Sequence, residues 1–368
     1  MRNKKIFGIV SVLLALLLNI SMASYAISRA SDSEMVPVKI GQFDEIGWAY
    51  GVQVVDDVAF VADAGDGLWL IDVSDPTNPK ELAHTFRGGV AHNVFVVGDI
   101  AYLADWSAGL KIIDVSNPSN PRHIGQYVDG GEIFDVYVDE NISYITDNQL
   151  KIINTSNPSH PVKLGQYDDS SVVTDVFVVG DLAFLADYAN GLEILNVSNP
   201  STPIKLGQHF AGGNLLEVQV INDLAFVVGN NGLRILNVSN PSNPVELGHI
   251  NDGGFTFDVF VVDDLAFVAK DPAGLKIYDI RDPAHPTERG RFDDGEGACA
   301  VHVVGNLAFV AAFDKGLKII KIRENTTPLG FELPIVIFGF IALSIICMRK
   351  IGKKEKIRKK KRYEHEKA

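Results

Sequence analysis

A module of about 40 residues recurs seven times along the 368-residue chain, and this repeat constrains the fold more than any other feature. Its clearest mark is the pair Gly-Leu, found at Gly67-Leu68, Gly109-Leu110, Gly191-Leu192, Gly232-Leu233, Gly274-Leu275 and Gly316-Leu317, with Gln149-Leu150 in the remaining slot. Successive copies lie 40 to 42 residues apart. Self-similarity at such a period is typical of solenoids and propellers, so we expect one large repeat domain.

Each copy contains four short segments with the composition of β-strands. In the second copy these are residues 93–97, 100–104, 110–115 and 122–127, which are rich in β-branched and aromatic residues. Gly98-Asp99 has the form of a two-residue hairpin turn between the first two segments. A pair of prolines separates the third segment from the fourth, where a missing N–H does no harm to a sheet. No copy has room for a useful amphipathic helix, so an all-β fold is predicted.

The repeats begin and end out of phase, and this predicts a closed ring. Residues 36–43 closely match residues 161–167, a fourth strand, although they precede the first complete copy. The seventh copy ends after its third strand, residues 317–322. We therefore expect the N-terminal strand to complete the last blade, which removes both free edges. The predicted fold, over residues 36–323, is a seven-bladed β-propeller of four-stranded blades.

The end of the third strand carries a motif, Gly-Leu-x-Ile-x-Asp/Asn-Val-Ser, that resembles the LVIVD repeat family. The matching segments are residues 68–74, 110–116, 192–198 and 233–239. The third, sixth and seventh copies depart from it at Asn154-Thr155, Ile280-Arg281 and Lys321-Ile322. The resemblance implies an exported bacterial or archaeal β-propeller. It brings no catalytic residues with it, because the family is largely uncharacterised in activity.

The N-terminus has the organisation of a secretory signal. A basic start is followed by the apolar run Ile6–Leu18, and Ser24 and Ala26 are small residues suited to a cleavage site. Residues 1–26 are therefore predicted to be a signal peptide, followed by a short linker at 27–35. An uncleaved anchor is the alternative, and the middle of the chain is exported in either case.

The C-terminus is predicted to anchor the protein in a membrane. A stalk at 324–332 precedes residues 333–348, which carry no charge and are expected to form one transmembrane helix. Residues 349–368 carry a net charge of +8, and such a basic tail stays cytoplasmic. The prediction is a single-pass cell-membrane protein with its propeller outside. Pro328–Phe331 also loosely resembles archaeal sorting tails, in which the span is removed, but the long basic extension favours retention.

Charge and motifs restrict the function. Residues 27–348 carry a net charge of −24, which argues against nucleic-acid binding because that function needs a basic surface. The chain has no Gly-x-Ser-x-Gly, His-Glu-x-x-His, phosphate loop or Cys-x-x-Cys motif. The sequence therefore favours a binding module over an enzyme.

One position at the start of the first strand is expected to form a ring at the mouth of the central channel. Its residues are Gly51, Asn93, Asp135, Asp175, Glu217, Asp258 and Ala300. Carboxylates this close repel one another unless a cation or hydrogen-bond donor intervenes. One hypothesis is a cation site, possible for calcium, with Asp135, Asp175, Glu217 and Asp258 as candidate ligands. The alternative, which we favour, is that each acid bonds the backbone of the next blade.

The face that carries the inter-blade links and the loops after the second strands differs from copy to copy. Trp48, Trp106 and Tyr188 lie there and are predicted binding residues beside the ring of acids. The partner classes expected are an extracellular protein, a glycan or a cationic ligand, captured without covalent chemistry. The alternative is an extracellular hydrolase or lyase with an acidic site at the channel mouth, either metal-dependent or metal-free.

Overall fold

The computed structural model describes residues 34–86, 89–210 and 212–324. The predicted signal peptide, the transmembrane helix at 333–348, the basic tail and nearly all of the linker and stalk lie outside the described residues. Within them, helix is limited to one 3₁₀ turn at Trp106–Ala108, and no helix is long and apolar enough to cross a membrane.

The described chain forms 28 strands. The first fourteen are β1 (Met35–Phe43), β2 (Ala49–Val55), β3 (Val58–Asp63), β4 (Gly67–Asp72), β5 (Lys80–Thr85), β6 (Ala91–Val97), β7 (Ile100–Asp105), β8 (Gly109–Asp114), β9 (Arg122–Tyr127), β10 (Asp135–Asp139), β11 (Ile142–Thr146), β12 (Leu150–Asn154), β13 (Val162–Tyr167) and β14 (Val173–Val179). The others are β15 (Leu182–Asp187), β16 (Gly191–Asn196), β17 (Ile204–His209), β18 (Leu215–Ile221), β19 (Leu224–Gly229), β20 (Gly232–Asn237), β21 (Val245–Ile250), β22 (Phe255–Val262), β23 (Leu265–Asp271), β24 (Gly274–Asp279), β25 (Thr287–Phe292), β26 (Ala300–Val304), β27 (Leu307–Ala311) and β28 (Leu317–Glu324).

These strands form seven antiparallel sheets of four strands, which are the predicted blades. Blades 1 to 6 each take four consecutive strands, starting with β2, β6, β10, β14, β18 and β22. Two-residue turns join the first and second strands, and φ at the first turn residue lies between 51° and 60° in all seven blades. Gly98, Gly180 and Gly305 accept this conformation without strain, whereas the other blades place an acid or Asn there.

The seventh blade closes the ring with the N-terminal strand, as the sequence predicts. Its strand order is β1-β28-β27-β26. The pairing of β1 with β28 runs from Met35 opposite Glu324 to Phe43 opposite Leu317. The strands of the propeller thus extend one residue beyond the predicted limits of 36 and 323 at each end.

The hydrophobic core lies between neighbouring blades. Between blades 1 and 2, for example, Phe60 and Leu70 pack with Val94 and Leu103 in one buried cluster. The second strands are buried on both faces, which explains apolar runs such as Val58–Ala62 in place of strict alternation. The fourth strands lie at the outer edge of the blades. In β9 and β25 the exposed residues are polar or charged, whereas β13, β17 and β21 also expose apolar side chains, including Val162, Ile204 and Val245.

Candidate functional site

The first strands of all seven blades surround a central cavity of about 500 Å³. Each of these strands contacts the first strand of the next blade, and β26 contacts β2 to complete the circle. The cavity is lined by the predicted ring position and by the residues beside it. This arrangement brings together side chains that lie about 40 residues apart in the sequence.

The cavity walls form three layers. We call the predicted ring, Gly51, Asn93, Asp135, Asp175, Glu217, Asp258 and Ala300, the acid ring. The mouth layer precedes it by one residue and comprises Tyr50, His92, Phe134, Thr174, Leu216, Phe257 and Cys299. The inner layer follows it by two residues and comprises Gln53, Phe95, Tyr137, Phe177, Gln219, Phe260 and His302.

A β-bulge near the start of five of the first strands explains why two consecutive residues face the same cavity. In β2, for instance, the pairing with β3 shifts between Ala49 and Gly51, so Tyr50 is the extra residue. The same shift occurs in β6, β14, β18 and β22. A bulge re-aims a side chain, and here it adds the mouth layer to the acid ring.

The acid ring ties neighbouring blades together. Oδ2 of Asp135 accepts a hydrogen bond from the backbone N of Val176 at 3.2 Å. Asp175 accepts from Val218 N at 2.7 Å, and Asp258 accepts from Val301 N at 2.6 Å. Each bond crosses to the next blade, so three of the four acids have the structural role expected of them.

Asn93 extends this network to blade 2, whereas blade 1 has Gly51 at the ring position. The Asn93 side-chain amide donates to Oδ1 of Asp135 in the next blade, and its Oδ1 accepts from Val94 N at 2.7 Å. A Cβ on Gly51 would lie 2.8 Å from Oδ1 of Asn93 and 2.9 Å from the carbonyl oxygen of His92. Blade 1 therefore has no space for an acid at this position without movement of its neighbour.

Burial and nearby carboxylates favour the protonated form of Asp175, Glu217 and Asp258. Burial raises the pKa of Asp258 to about 7. Burial also raises the pKa of Asp175 and Glu217 well above the usual range, and the carboxylates next to them raise it further. Asp175 is 4% exposed, whereas Glu217 and Asp258 are only partly buried and face the cavity. A positive charge placed there would meet carboxyls that can ionise to compensate it.

The calcium hypothesis places four acids of the ring around a cation. Within the part of the chain that the structure describes, one group brings three possible metal-ligand atoms within 4.8 Å of one another. That group is Asp169, Asp187 and Glu193, which lies in blade 4 away from the ring. In the ring itself, backbone amides already occupy one oxygen each of Asp135, Asp175 and Asp258.

Two glutamines of the inner layer form a second set of links between blades. Gln53 accepts a hydrogen bond from Val96 N at 2.6 Å, and Gln219 accepts one from Val261 N at 2.5 Å. Sequence reasoning missed both residues. The sequence feature that could have identified them is their position two residues after the acid ring, which places them on the same face of the strand.

Aromatic side chains form a continuous arc over one side of the cavity mouth. We call this set the aromatic arc: Phe255, Phe257, Phe313, Trp48, Tyr50, His92, Trp106 and Phe134. Ring centroids are 5.5 Å apart for Phe257 and Phe313, 5.2 Å for Tyr50 and His92, and 5.4 Å for Trp106 and Phe134. The arc runs from blade 6 through blades 7, 1 and 2 to the start of blade 3.

Two of the predicted aromatic residues belong to this arc. Trp48 is 51% exposed, and a buried carboxylate holds the backbone beneath it. Asp63, at the end of β3, accepts hydrogen bonds from Gly47 N at 3.0 Å and Trp48 N at 3.1 Å. The ring centroids of Trp106 and His92 lie 4.7 Å apart. Tyr188 lies apart from the arc, exposed on the blade 4 loop after β15.

Two histidines line the cavity, in different layers. His92 stacks on Tyr50 in the mouth layer, and burial lowers its pKa. His302 packs on Phe260 in the inner layer, where burial lowers its pKa to about 4. His302 is therefore neutral near pH 7 and adds no positive charge to balance the acids.

Comparison with known proteins agrees with this architecture. The sequence profile described as LVIVD repeat matches seven times, at residues 46–84, 88–129, 130–169, 172–209, 212–252, 253–294 and 295–329. These matches cover most of the chain. No curated protein is similar in sequence at a significant level.

Solved structures share the fold at low sequence identity. The β-propeller domain of Cps50 (Swd1) from Myceliophteria thermophila is 11% identical, with a TM-score of 0.65 over 78% of this chain and 100% of that chain. A chain of the mitotic checkpoint complex is 12% identical, with a TM-score of 0.63 over 80% of this chain and 95% of that one. The computationally designed Ika8 protein is 8% identical, with a TM-score of 0.56, covering 77% and 99%. At these identities the similarity concerns the fold alone.

Proposed function

Because the chain belongs to the LVIVD repeat family, we propose that its seven-bladed propeller is a non-enzymatic binding module that captures a positively charged group at the channel mouth. One observation carries this proposal: the aromatic arc borders a 500 Å³ cavity whose wall holds the acid ring. Aromatic faces attract ammonium and guanidinium groups, and desolvated sites strengthen the attraction. Of the expected partner classes, the cavity therefore favours a cationic ligand, or a protein that presents a lysine or arginine.

The acid ring supplies the charge that such a ligand needs. Without a ligand, the raised pKa of Asp258, Asp175 and Glu217 keeps part of the ring protonated near neutral pH. A bound cation lowers these pKa values and drives protons into solution. Binding is consequently expected to strengthen as the pH rises through about 7, the pKa of Asp258.

Calorimetric titration tests this proposal with n-butylammonium and tetramethylammonium, and with neutral n-butanol as the matched control ligand. We expect both cations to bind, n-butanol to bind more weakly, and the heat to depend on the buffer because protons are released. Asp258→Asn should weaken cation binding by about tenfold or more, since it removes a charge from the cavity wall. Asp99→Asn, on an exposed turn, is the matched control and should bind as the wild type does.

The titration has outcomes that would contradict the proposal, and a separate activity assay tests the second candidate. Equal binding of the cations and n-butanol, or no binding by any of them, would contradict the proposed cationic ligand. Cavity-facing carboxyls with raised pKa are also what a general acid needs, and this favours a hydrolase or lyase as the second candidate. Turnover of an ester, glycoside or amide that Asp258→Asn abolishes would support that candidate instead.

We also propose that the propeller stands on the outer surface of the cell, held by the expected span at 333–348. The support comes from the sequence, in which an apolar segment precedes a tail with a net charge of +8. The full-length protein should remain with membranes after alkaline extraction, and protease added to intact cells should remove the propeller. Release by alkaline carbonate, or full protection from external protease, would contradict this topology.

A further inference from the structure

At one position of the third strand, blade 4 carries a negative charge that no other blade carries. It follows the Gly-Leu pair, or Gln149-Leu150 in blade 3, and its residues are Trp69, Lys111, Lys151, Glu193, Arg234, Lys276 and Lys318. Five blades thus place a cation here and blade 1 places an indole. Blade 4 places a carboxylate, Glu193.

The lysines at this position are held by acids of the preceding inter-blade link or at the end of the second strand, whereas Arg234 of blade 5 pairs with Glu246 on its fourth strand. In blade 3 the Lys151 ammonium lies 2.7 Å from Asp129, in the inter-blade link, and 2.5 Å from Asp147, in the loop after the second strand. In blade 7 the Lys318 ammonium lies 2.9 Å from Asp294 and 2.8 Å from Glu296. The repeat therefore builds a pocket for a positive charge beneath its loops.

Blade 4 keeps the acids of this pocket and lacks its lysine. Asp169 occupies the link position of Asp129, and Asp187 corresponds to Asp147 at the end of the second strand. One oxygen from each of Asp169, Asp187 and Glu193 lies within 4.8 Å of the others. Three carboxylates thus converge where blade 3 has two carboxylates around an ammonium.

Two carboxylate oxygens of this group have no hydrogen-bond partner. Asp187 and Glu193 are both 0% exposed, and Oδ2 of Asp187 and Oε2 of Glu193 are unsatisfied. Their other oxygens are bound: Asp187 Oδ1 accepts from Asn190 N at 2.7 Å, and Glu193 Oε1 accepts from the Lys205 ammonium. A buried carboxylate oxygen without a partner destabilises the folded state, so a further positive charge at this site would stabilise it.

We propose that blade 4 binds a hard divalent cation of the calcium class through Asp169, Asp187 and Glu193. Calcium takes carboxylate oxygens at about 2.3–2.6 Å, so its ligand oxygens lie up to about 5 Å apart, which matches this group. The group contains no histidine or cysteine, which favours a hard ion over zinc. The ion takes the place of the lysine ammonium of blades 2, 3, 6 and 7 and stabilises the loop that carries the exposed Tyr188 on the variable face.

A proton is the competing occupant of the site. Burial raises the pKa of Glu193 to about 7, with the Lys205 ammonium opposing the shift and Asp169 adding to it. A proton shared between Glu193 and Asp169 would satisfy one oxygen without any metal. The two occupants differ in what they respond to, because only a metal site responds to added calcium at constant pH.

Titration of the metal-free, full-length protein with calcium chloride near neutral pH is the test. We expect a blade 4 site with a Kd roughly in the micromolar to millimolar range, and a melting temperature that rises with calcium. Glu193→Lys rebuilds the pocket of blade 3. It should abolish this binding and the calcium-dependent rise, while the metal-free variant melts at or above the metal-free wild type.

Two further variants keep the test decisive. Lys151→Glu copies blade 4 into blade 3; it should lower the metal-free melting temperature and add a second calcium site. Asp169→Asn, in the partly buried link, should weaken calcium binding if Glu193→Lys fails to fold. Asp175→Asn, in the acid ring, is the control and should keep the blade 4 site. No heat and no change in melting with calcium, magnesium or manganese up to about 10 mM, or a calcium response that survives in Glu193→Lys, would overturn the proposal and leave the proton as occupant.

Discussion

The side chain of Asp258 makes a structural hydrogen bond and also lowers the free energy of unfolding at high pH. Its Oδ2 accepts the Val301 amide of the next blade, yet its carboxyl is partly buried among other acids. The folded pKa is about 7, against about 3.9 in the unfolded chain. The folded state therefore holds a proton that the unfolded state releases between about pH 4 and 7. Over this window the contribution of Asp258 to the free energy of unfolding falls as the pH rises.

Asp258→Asn is expected to remove that pH-dependent cost. An amide oxygen can still accept from Val301 N, as the side-chain oxygen of Asn93 does from Val94 N. The variant should be more stable than the wild type at pH 8 by about 1–3 kcal/mol, and the difference should shrink toward pH 4. Denaturant unfolding at both pH values measures this, with Asp99→Asn as the control. A variant that is no more stable than the wild type at pH 8 would show that ionisation of Asp258 does not destabilise the folded state.

At the same scale, the sequence predicts which residues meet better than what they do. The acid ring followed from one position repeated in seven copies, and so did its alternative role in bonding the next blade. Glu193 was overlooked because it lies in a strand read for its apolar pattern. Its signal is a change of charge at a position where five other copies carry a cation.

Among the elements, strand number and order were predictable, whereas the first-strand starts were not. Residues 93–97 were predicted for the first strand of blade 2, and β6 begins at Ala91. The difference has a physical cause, since the bulge at His92 breaks the two-residue alternation on which the prediction rests. The fourth strand, Arg122–Tyr127, has no bulge at its ends and was predicted to the residue.

The same bulges explain why the aromatic arc was only partly foreseen. Trp48 and Trp106 stand out in the sequence as large residues in variable loops. Tyr50, His92 and Phe257 reach the cavity because they are the extra residues of bulges, which no residue pattern announces. Tyr188, which is equally conspicuous in the sequence, lies apart from the aromatic arc, in blade 4.

For the whole molecule, closure by β1 decides whether seven blades behave as one ring. Without Met35–Phe43, β28 would present an open edge, and the cluster between blades 7 and 1 would lose Phe43, which lies 5.6 Å from the ring of Trp69. Deletion of residues 34–43 is therefore expected to broaden thermal unfolding, lower the melting temperature and promote association. Calorimetry and sedimentation on the deletion variant measure these changes.

Strand complementation provides the control for that deletion. A synthetic peptide of residues 34–43 added to the variant should restore the melting temperature and the monomer, because it can pair with β28. A scrambled peptide of the same composition should not. If the deletion variant melts as the wild type does, or if both peptides act alike, the ring does not depend on this strand.

The split seventh blade also sets the order of events during synthesis. Phe43 leaves the ribosome about 270 residues before Leu317, its partner in the register of β1 and β28. At about 5–20 residues per second this is an interval of roughly 15 to 55 seconds. During that time β1 has no partner strand, while blades 1 to 6 are synthesised one after another. The nascent chain can thus complete its circle only when translation of the repeats is over.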